Sequence, residues 1–141
     1  MSGYLLDTNV ISEARKRQRA NPKVLTWLET VEDSELFLSV LVLGEIRKGV
    51  EQVRTTDPSK ARALERWLNG LVRIFGDRLL PIDGAVADRW GRLSTSRPLS
   101  TVDGLLAATA LVHEMTLVTR NVQHMTHSGA KLLNPFGDIR D

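Results

Sequence analysis

Apolar positions come in two rhythms along this chain: short runs, and longer stretches in which they recur every three or four residues. Leu5-Leu6 closes the first apolar run and predicts a strand ending at Asp7-Thr8-Asn9. A short helix over 9–14 follows, then a basic loop, Arg15-Lys16-Arg17-Gln18-Arg19. Asn21-Pro22 reads as a helix start, with Asn as N-cap and Pro at the first helical position. Val24, Trp27, Leu28 and Val31 fall on one face of that helix. Residues 35–39 predict a second strand, and 40–53 a helix with Val42, Ile46, Val50 and Val53 inward. Asp57-Pro58-Ser59 breaks the pattern before an amphipathic helix striped by Leu64, Trp67, Leu68, Leu71 and Phe75. Residues 79–82 predict a third strand, and Asp83 caps a helix carrying Val86, Trp90 and Leu93. A polar loop over 94–100 holds Pro98. The stretch 101–113 is apolar almost all round, which predicts a buried helix. Residues 116–119 predict a fourth strand, and 131–136 a last edge strand. Strands alternating with helices predict an α/β fold with a parallel sheet and helices on both faces.

Composition narrows the classes without choosing among them. The length of 141 residues fits one domain over 1–141, and 42% hydrophobic residues support a real core. With no cysteine, disulfides and thiolate chemistry are excluded, and a reducing cytoplasm is the expected compartment. No apolar run approaches the roughly 20 residues of a membrane span, and no signal peptide opens the chain. The net charge of +2 permits a nucleic-acid partner without requiring one.

Four acids stand out against apolar surroundings. Asp7 sits at a strand end, where open α/β sheets bind ligands. Glu45 lies on a helix beside Ile46, Asp103 opens the most apolar helix, and Asp83 opens another. Desolvated carboxylates brought together repel unless a cation offsets them. Mg²⁺ and Mn²⁺ take oxygen ligands and activate water for phosphodiester hydrolysis. Each acid also has an ordinary role: Asp83 as an N-cap, Asp103 as a first-turn acid on the helix dipole, Glu45 on a solvent edge, Asp7 bonded to its own loop. Spacing alone does not bring them together.

Four motifs in order carry a resemblance. Residues 5–12, Leu-Leu-Asp-Thr-Asn-Val-Ile-Ser, resemble the opening of PIN-domain ribonucleases, in particular the VapC/FitB-like toxins of type II toxin–antitoxin systems. Residues 38–46 are similar to the second motif of that family and contain Glu45; residues 101–110 to the third, with Asp103; residues 117–121 to the fourth. Asn134-Pro135-Phe136 is similar to the closing segment. The resemblance implies a PIN-like three-layer sandwich with a central parallel sheet of 4–5 strands, usually homodimeric. It implies a metal-dependent endoribonuclease with Mg²⁺ or Mn²⁺ held by Asp7, Glu45 and Asp103. Asn121 stands where many members place an acid, which puts a two-metal site in doubt and leaves a carbonyl to bind metal or water. Thr8, Asn9, Ser39 and Thr119 become polar supports, with capping and turn formation as the alternative for Ser39. The family also implies a small antitoxin protein as partner.

Arg15, Lys16, Arg17 and Arg19, together with Arg120, are candidate contacts to RNA phosphates. No stacking motif stands out, and Trp27, Trp67 and Trp90 fall on stripes that read as core or dimer contacts. His124 and His127, three apart in a loop, read as bland. A different class remains open: a catalytically weak PIN-like module that binds RNA or protein, on the strength of Asn121 and His124. A phosphoacceptor domain built on Asp7 wants a second neighbouring acid or a lysine after a later strand, and neither is there.

Overall fold

The computed structural model describes residues 3–93 and 99–137. Its elements in chain order are β1 (Tyr4–Leu6), α1 (Thr8–Ala14), α2 (Pro22–Glu29), β2 (Leu36–Ser39), α3 (Val40–Arg54), α4 (Pro58–Phe75), β3 (Leu79–Leu80), α5 (Gly84–Arg92), α6 (Thr101–Val112), β4 (Thr116–Val118), α7 (Val122–Met125) and β5 (Lys131–Leu133). The five strands form one sheet in the order β3-β2-β1-β4-β5, and every pairing is parallel. Strands this short, buried on both sides, explain why they read as apolar runs rather than alternations.

The order of strands decides where a ligand goes. From β1 the chain steps outward through β2 to β3, then returns to the other side of β1 for β4 and β5. Because parallel crossovers are right-handed, reversing direction moves the connecting helices to the opposite face. The crevice opens between β1 and β4, where the direction reverses, outside their carboxyl ends. Those strands pair Leu6 with Val118, so the next residues out are Asp7 and Thr119. The Asp7 N–H bonds the Val118 carbonyl at 2.9 Å, and the Thr119 N–H bonds the Leu133 carbonyl at 2.9 Å, extending the ladder to the crevice rim.

The core lies between the sheet and the helices. Leu5, Leu38 and Leu117 come from the three central strands, and all are fully buried. Helix α6 is buried from Leu106 through Ala110, as its all-round apolarity predicts. Trp27 is buried and meets Tyr4 edge to face, with ring centroids 5.3 Å apart. Helices α3 and α4 pack together, so Val50, Leu68 and Leu71 are spent on the core rather than left for a partner. On their outer side Arg47 and Arg54 pair with Glu51 and Glu65.

Several boundaries differ from the sequence expectation. Helix α1 begins at Thr8, because Asp7 caps it with a bond from the Thr8 N–H. Glu35 belongs to a 3₁₀ turn that it closes as half of a capping box with Glu32. The third strand stops after Leu80, since Pro81 has no N–H to give a ladder. Residues 17–19 of the basic loop form a 3₁₀ turn, and residues 122–125 form the short helix α7. The last strand ends at Leu133, where Asn134 turns the chain by accepting the Phe136 N–H. Of the loop expected over 94–100, residues 94–98 lie outside the described residues. Among the described residues no helix is long and apolar enough to cross a membrane.

Candidate active site

Asp7 is the centre of the crevice. It is 6% exposed, and both of its oxygens are engaged. Oδ1 accepts from the Thr8 N–H at 2.7 Å, and Oδ2 from Thr119 Oγ1 at 2.8 Å. Burial pushes its carboxyl above the ordinary range. The bonds from Thr119 and Thr8 pull the other way, and the negative charges of Asp103 and Glu45 push it up further.

Glu45 reaches this centre through Thr8, whose hydroxyl donates to Oε1 at 2.6 Å. Glu45 is exposed on α3, and the N-terminus of α3 is fixed by buried Ser39, whose Oγ accepts the Leu41 N–H at 3.0 Å. Ser39 therefore acts as an N-cap, the ordinary role allowed for it. Asp103 is half-buried in the first turn of α6, and Ser100 Oγ accepts its N–H at 3.2 Å. Asp83 stands outside this group: it caps α5, accepting the Val86 N–H at 3.0 Å.

Asn121 occupies the N-cap position of α7, but its side chain makes no cap bond there. Its N–H goes to Thr119 Oγ1 at 3.0 Å, so one hydroxyl ties the fourth motif to Asp7. Asn9 does the equivalent from α1, its Oδ1 accepting the Arg120 N–H at 3.1 Å. Thr8, Asn9 and Thr119 are thus joints between the segments, each closing a gap the backbone leaves open.

The donor set suits a hard divalent cation. Asp7, Glu45 and Asp103 could supply oxygen ligands, and Asp7 is raised by burial first and by the charges of the other two acids. As the side chains stand, no group of three or more His, Cys, Asp or Glu among the described residues is gathered into a metal-holding cluster. Asp7 and Glu45 are linked through Thr8, whose N–H bonds the first and whose hydroxyl bonds the second; among the described residues Asp103 bonds neither, and a complete shell calls for water or substrate oxygens beside them.

The basic residues divide in two. Arg15, Lys16, Arg17 and Arg19 are exposed and, with Arg66 and Trp67, line an open groove of about 600 Å³ between α1 and α4. They lie at the end of α1 opposite Asp7, roughly 10 Å along the helix. Lys16 pairs with Glu13 at 3.0 Å, and Arg15 stacks on Trp67 at 5.5 Å. Glu13 is held below the usual carboxylate range by Lys16 first and by the Asn21 N–H, with a smaller contribution from Arg120. Arg120, in contrast, sits on the crevice rim between Thr119 and Asn121 and stacks on Phe136 at 4.4 Å. His124 and His127 are both exposed.

Two partners escaped the sequence reading. Phe136 was visible only as part of a closing motif. Trp90, read as core or a dimer contact, is 42% exposed rather than core and lies on Gly104. A Cβ at Gly104 would come within 2.9 Å of the indole Nε1, so the glycine next to Asp103 permits the close approach of α5. A glycine early in an otherwise strongly helical segment was the available signal.

Comparison with known proteins adds independent findings. The family model described as PIN domain matches residues 4–125. The toxin FitB of Neisseria gonorrhoeae is 31% identical over 140 residues, covering 95% of this chain and 99% of its own. The VapC ribonuclease Y4jK of Sinorhizobium fredii is 30% identical over 139 residues, covering 94% of this chain and 96% of its own. The crystal structure of FitAcB from Neisseria gonorrhoeae superposes with a TM-score of 0.86 at 30% identity, covering 96% of this chain and 99% of that one.

Proposed function

The chain belongs to the PIN-domain family, among the VapC/FitB-like toxin ribonucleases of type II toxin–antitoxin systems, and from that membership we propose that it is a divalent-metal-dependent endoribonuclease. One observation carries the metal-dependent part. Asp7 is a buried carboxylate at the strand-order switch point, its carboxyl raised by burial and by the charges of Asp103 and Glu45. An acid in that state favours a cation beside it.

In this reading Asp7, Asp103 and Glu45 hold Mg²⁺ or Mn²⁺. When bound, such an ion acidifies water and offsets charge on a phosphodiester oxygen. The chain itself does the positioning. Thr119 and the Thr8 N–H fix both oxygens of Asp7, so the carboxylate meets the substrate without reorganising. Thr8 orients Glu45 from the same turn, and the Ser39 cap sets where α3 delivers it. Asn121 presents an exposed amide at the mouth, a neutral group for a water or a phosphate oxygen. Arg120 meets phosphates at the rim, and Arg15, Lys16, Arg17 and Arg19 meet phosphates further along the RNA. A small antitoxin protein is its partner, the whole chain of 141 residues acts as one domain in the cytoplasm, and two copies form a homodimer.

A second reading rests on Asn121. The uncharged fourth position favours a catalytically weak module that binds RNA or protein. One experiment separates the two. Purified protein is incubated with bulk single-stranded RNA in Mg²⁺, Mn²⁺ and EDTA, beside Asp7→Asn. The enzyme reading expects fragments in both metals, none in EDTA, and none from Asp7→Asn. RNA retention without cleavage in either metal supports the binding module and ends the enzyme reading.

A further inference from the structure

We propose that Phe136 is a positioning residue, whose ring holds the Arg120 guanidinium at the rim of the Asp7 crevice as a fork for a substrate phosphate. This rests on the ribonuclease reading and names how that site grips its substrate.

Among the described residues three arginines lie over aromatic rings, and they differ in what their N–H groups do. Arg78 lies over Phe75 at 4.9 Å, and its N–H groups go to the carbonyls of Asp33, Leu36 and Ile74 at 2.6, 2.8 and 3.0 Å. It is a clamp between the end of α4 and β2. Arg15 lies over Trp67, in the groove at the far end of α1. Arg120 lies over Phe136 at 4.4 Å, is exposed, and among the described residues has no hydrogen bond or ion pair to its guanidinium. A guanidinium that lies over a ring and makes no hydrogen bond of its own keeps its N–H groups for a ligand, and they match two phosphate oxygens at once.

Its placement is fixed from both ends. The Arg120 N–H is held by Asn9 on α1, and the preceding residue, Thr119, bonds Asp7 directly. Phe136 is set by the turn in which Asn134 Oδ1 accepts its N–H at 2.9 Å, next to buried Pro135. That turn follows β5, and β5 is tied to the crevice by the bond from Thr119 N–H to Leu133. The ring also has a negative duty. An arginine near carboxylates is drawn onto them; Glu13 feels the charge of Arg120, yet among the described residues no ion pair forms between the two. Stacked on Phe136, it stays at the rim with its charge turned to an incoming anion.

The test uses binding rather than turnover, in the full chain carrying Asp7→Asn so that RNA survives. The probe is a fluorescein-labelled single-stranded RNA oligonucleotide in Mg²⁺, with affinity measured across a salt series. Arg120→Ala is expected to weaken binding roughly tenfold at low salt and to reduce the salt slope by about one phosphate contact. Phe136→Leu is expected to weaken it about threefold, the size of an exposed cation–π contact. Phe136→Trp, which keeps a ring, is expected to bind like the parent. The decisive arm is the double variant: with Arg120→Ala already present, Phe136→Leu should cost nothing more. Additive losses, or a Phe136→Leu protein that binds like its parent, overturn the proposal. Should Phe136→Leu fail to fold, a Phe136→Trp loss matching Arg120→Ala overturns it, and retention of affinity and salt slope upholds it. If wild type shows no chelator-sensitive cleavage and the parent binds no RNA, the ribonuclease reading falls and takes this one with it. If wild type cleaves and only the Phe136 arms fail, this one falls alone.

Discussion

Thr119→Val replaces one hydroxyl with a methyl at the centre of the acid crevice. Thr119 is fully buried, and its Oγ1 donates to Asp7 at 2.8 Å while accepting the Asn121 N–H at 3.0 Å. The two lost bonds are not equivalent. Asn121 is exposed, so its N–H turns to water. Asp7 is 6% exposed, so Oδ2 has no such recourse. Leaving a buried charged acceptor without its donor costs about 1.5–3 kcal/mol. The extra methyl returns up to about 0.8 kcal/mol, for a net loss of about 1–2 kcal/mol. With a urea slope of about 2 kcal/mol/M for a domain of this size, the midpoint should fall by about 0.5–1 M. The assay is urea unfolding followed by circular dichroism in EDTA. The cost arises from the charge on Asp7, so it should shrink in an Asp7→Asn background, where the two substitutions couple. An unchanged midpoint in the single variant would falsify the reasoning. The same loss in both backgrounds would refute it too, because the hydroxyl would then be serving packing alone.

Other expectations follow from the same geometry. Asp7→Asn removes a charge that burial disfavours, and an amide at that position still accepts from the Thr8 N–H; metal-free melting should therefore move up by a few degrees while RNA cleavage is lost. Arg78→Met takes the donors from three carbonyls where α4 meets β2 and should lower stability by about 1–3 kcal/mol, read from urea midpoints; a variant as stable as wild type contradicts the clamp. Glu51 is held down to about 2 by the Arg54 guanidinium first, and Glu65 is lowered by Arg47. A carboxyl lowered by folding stabilises above its ordinary value and loses that contribution as pH falls through the folded one. The gap in melting temperature between wild type and Glu51→Gln/Glu65→Gln should accordingly be present at pH 6 and close by about pH 2. A gap constant over that range excludes the ion-pair network as its source.

Much of the scaffold was legible because the forces that set it are local. Caps at Asn21, Ser39 and Asp83 each span no more than three residues, and all three accept a backbone N–H of the helix they open, while Asp57, read only as part of a break, caps α4 in the same way. The apolar spacing of α3 and α4 and the all-round apolarity of α6 reflect one helical period each. Where the reading slipped, a neighbour decided: Pro81 cut β3 short, and the Asp7 cap started α1 a residue early.

By itself, the sequence determined which acids lie at element ends and which segments are strands or helices, since those follow from side-chain type and period. Only the tertiary structure decided which of them meet. Thr119 and Asp7 are 112 residues apart, and Thr8 and Glu45 are 37. Each pair is joined because β1 lies between β2 and β4, an order that right-handed crossovers and burial of both sheet faces select and that no local pattern encodes. The same holds for Arg120. Its charge is written in the sequence, but that it rests on Phe136 with its N–H edge unspent depends on where the turn after β5 comes back beside β4.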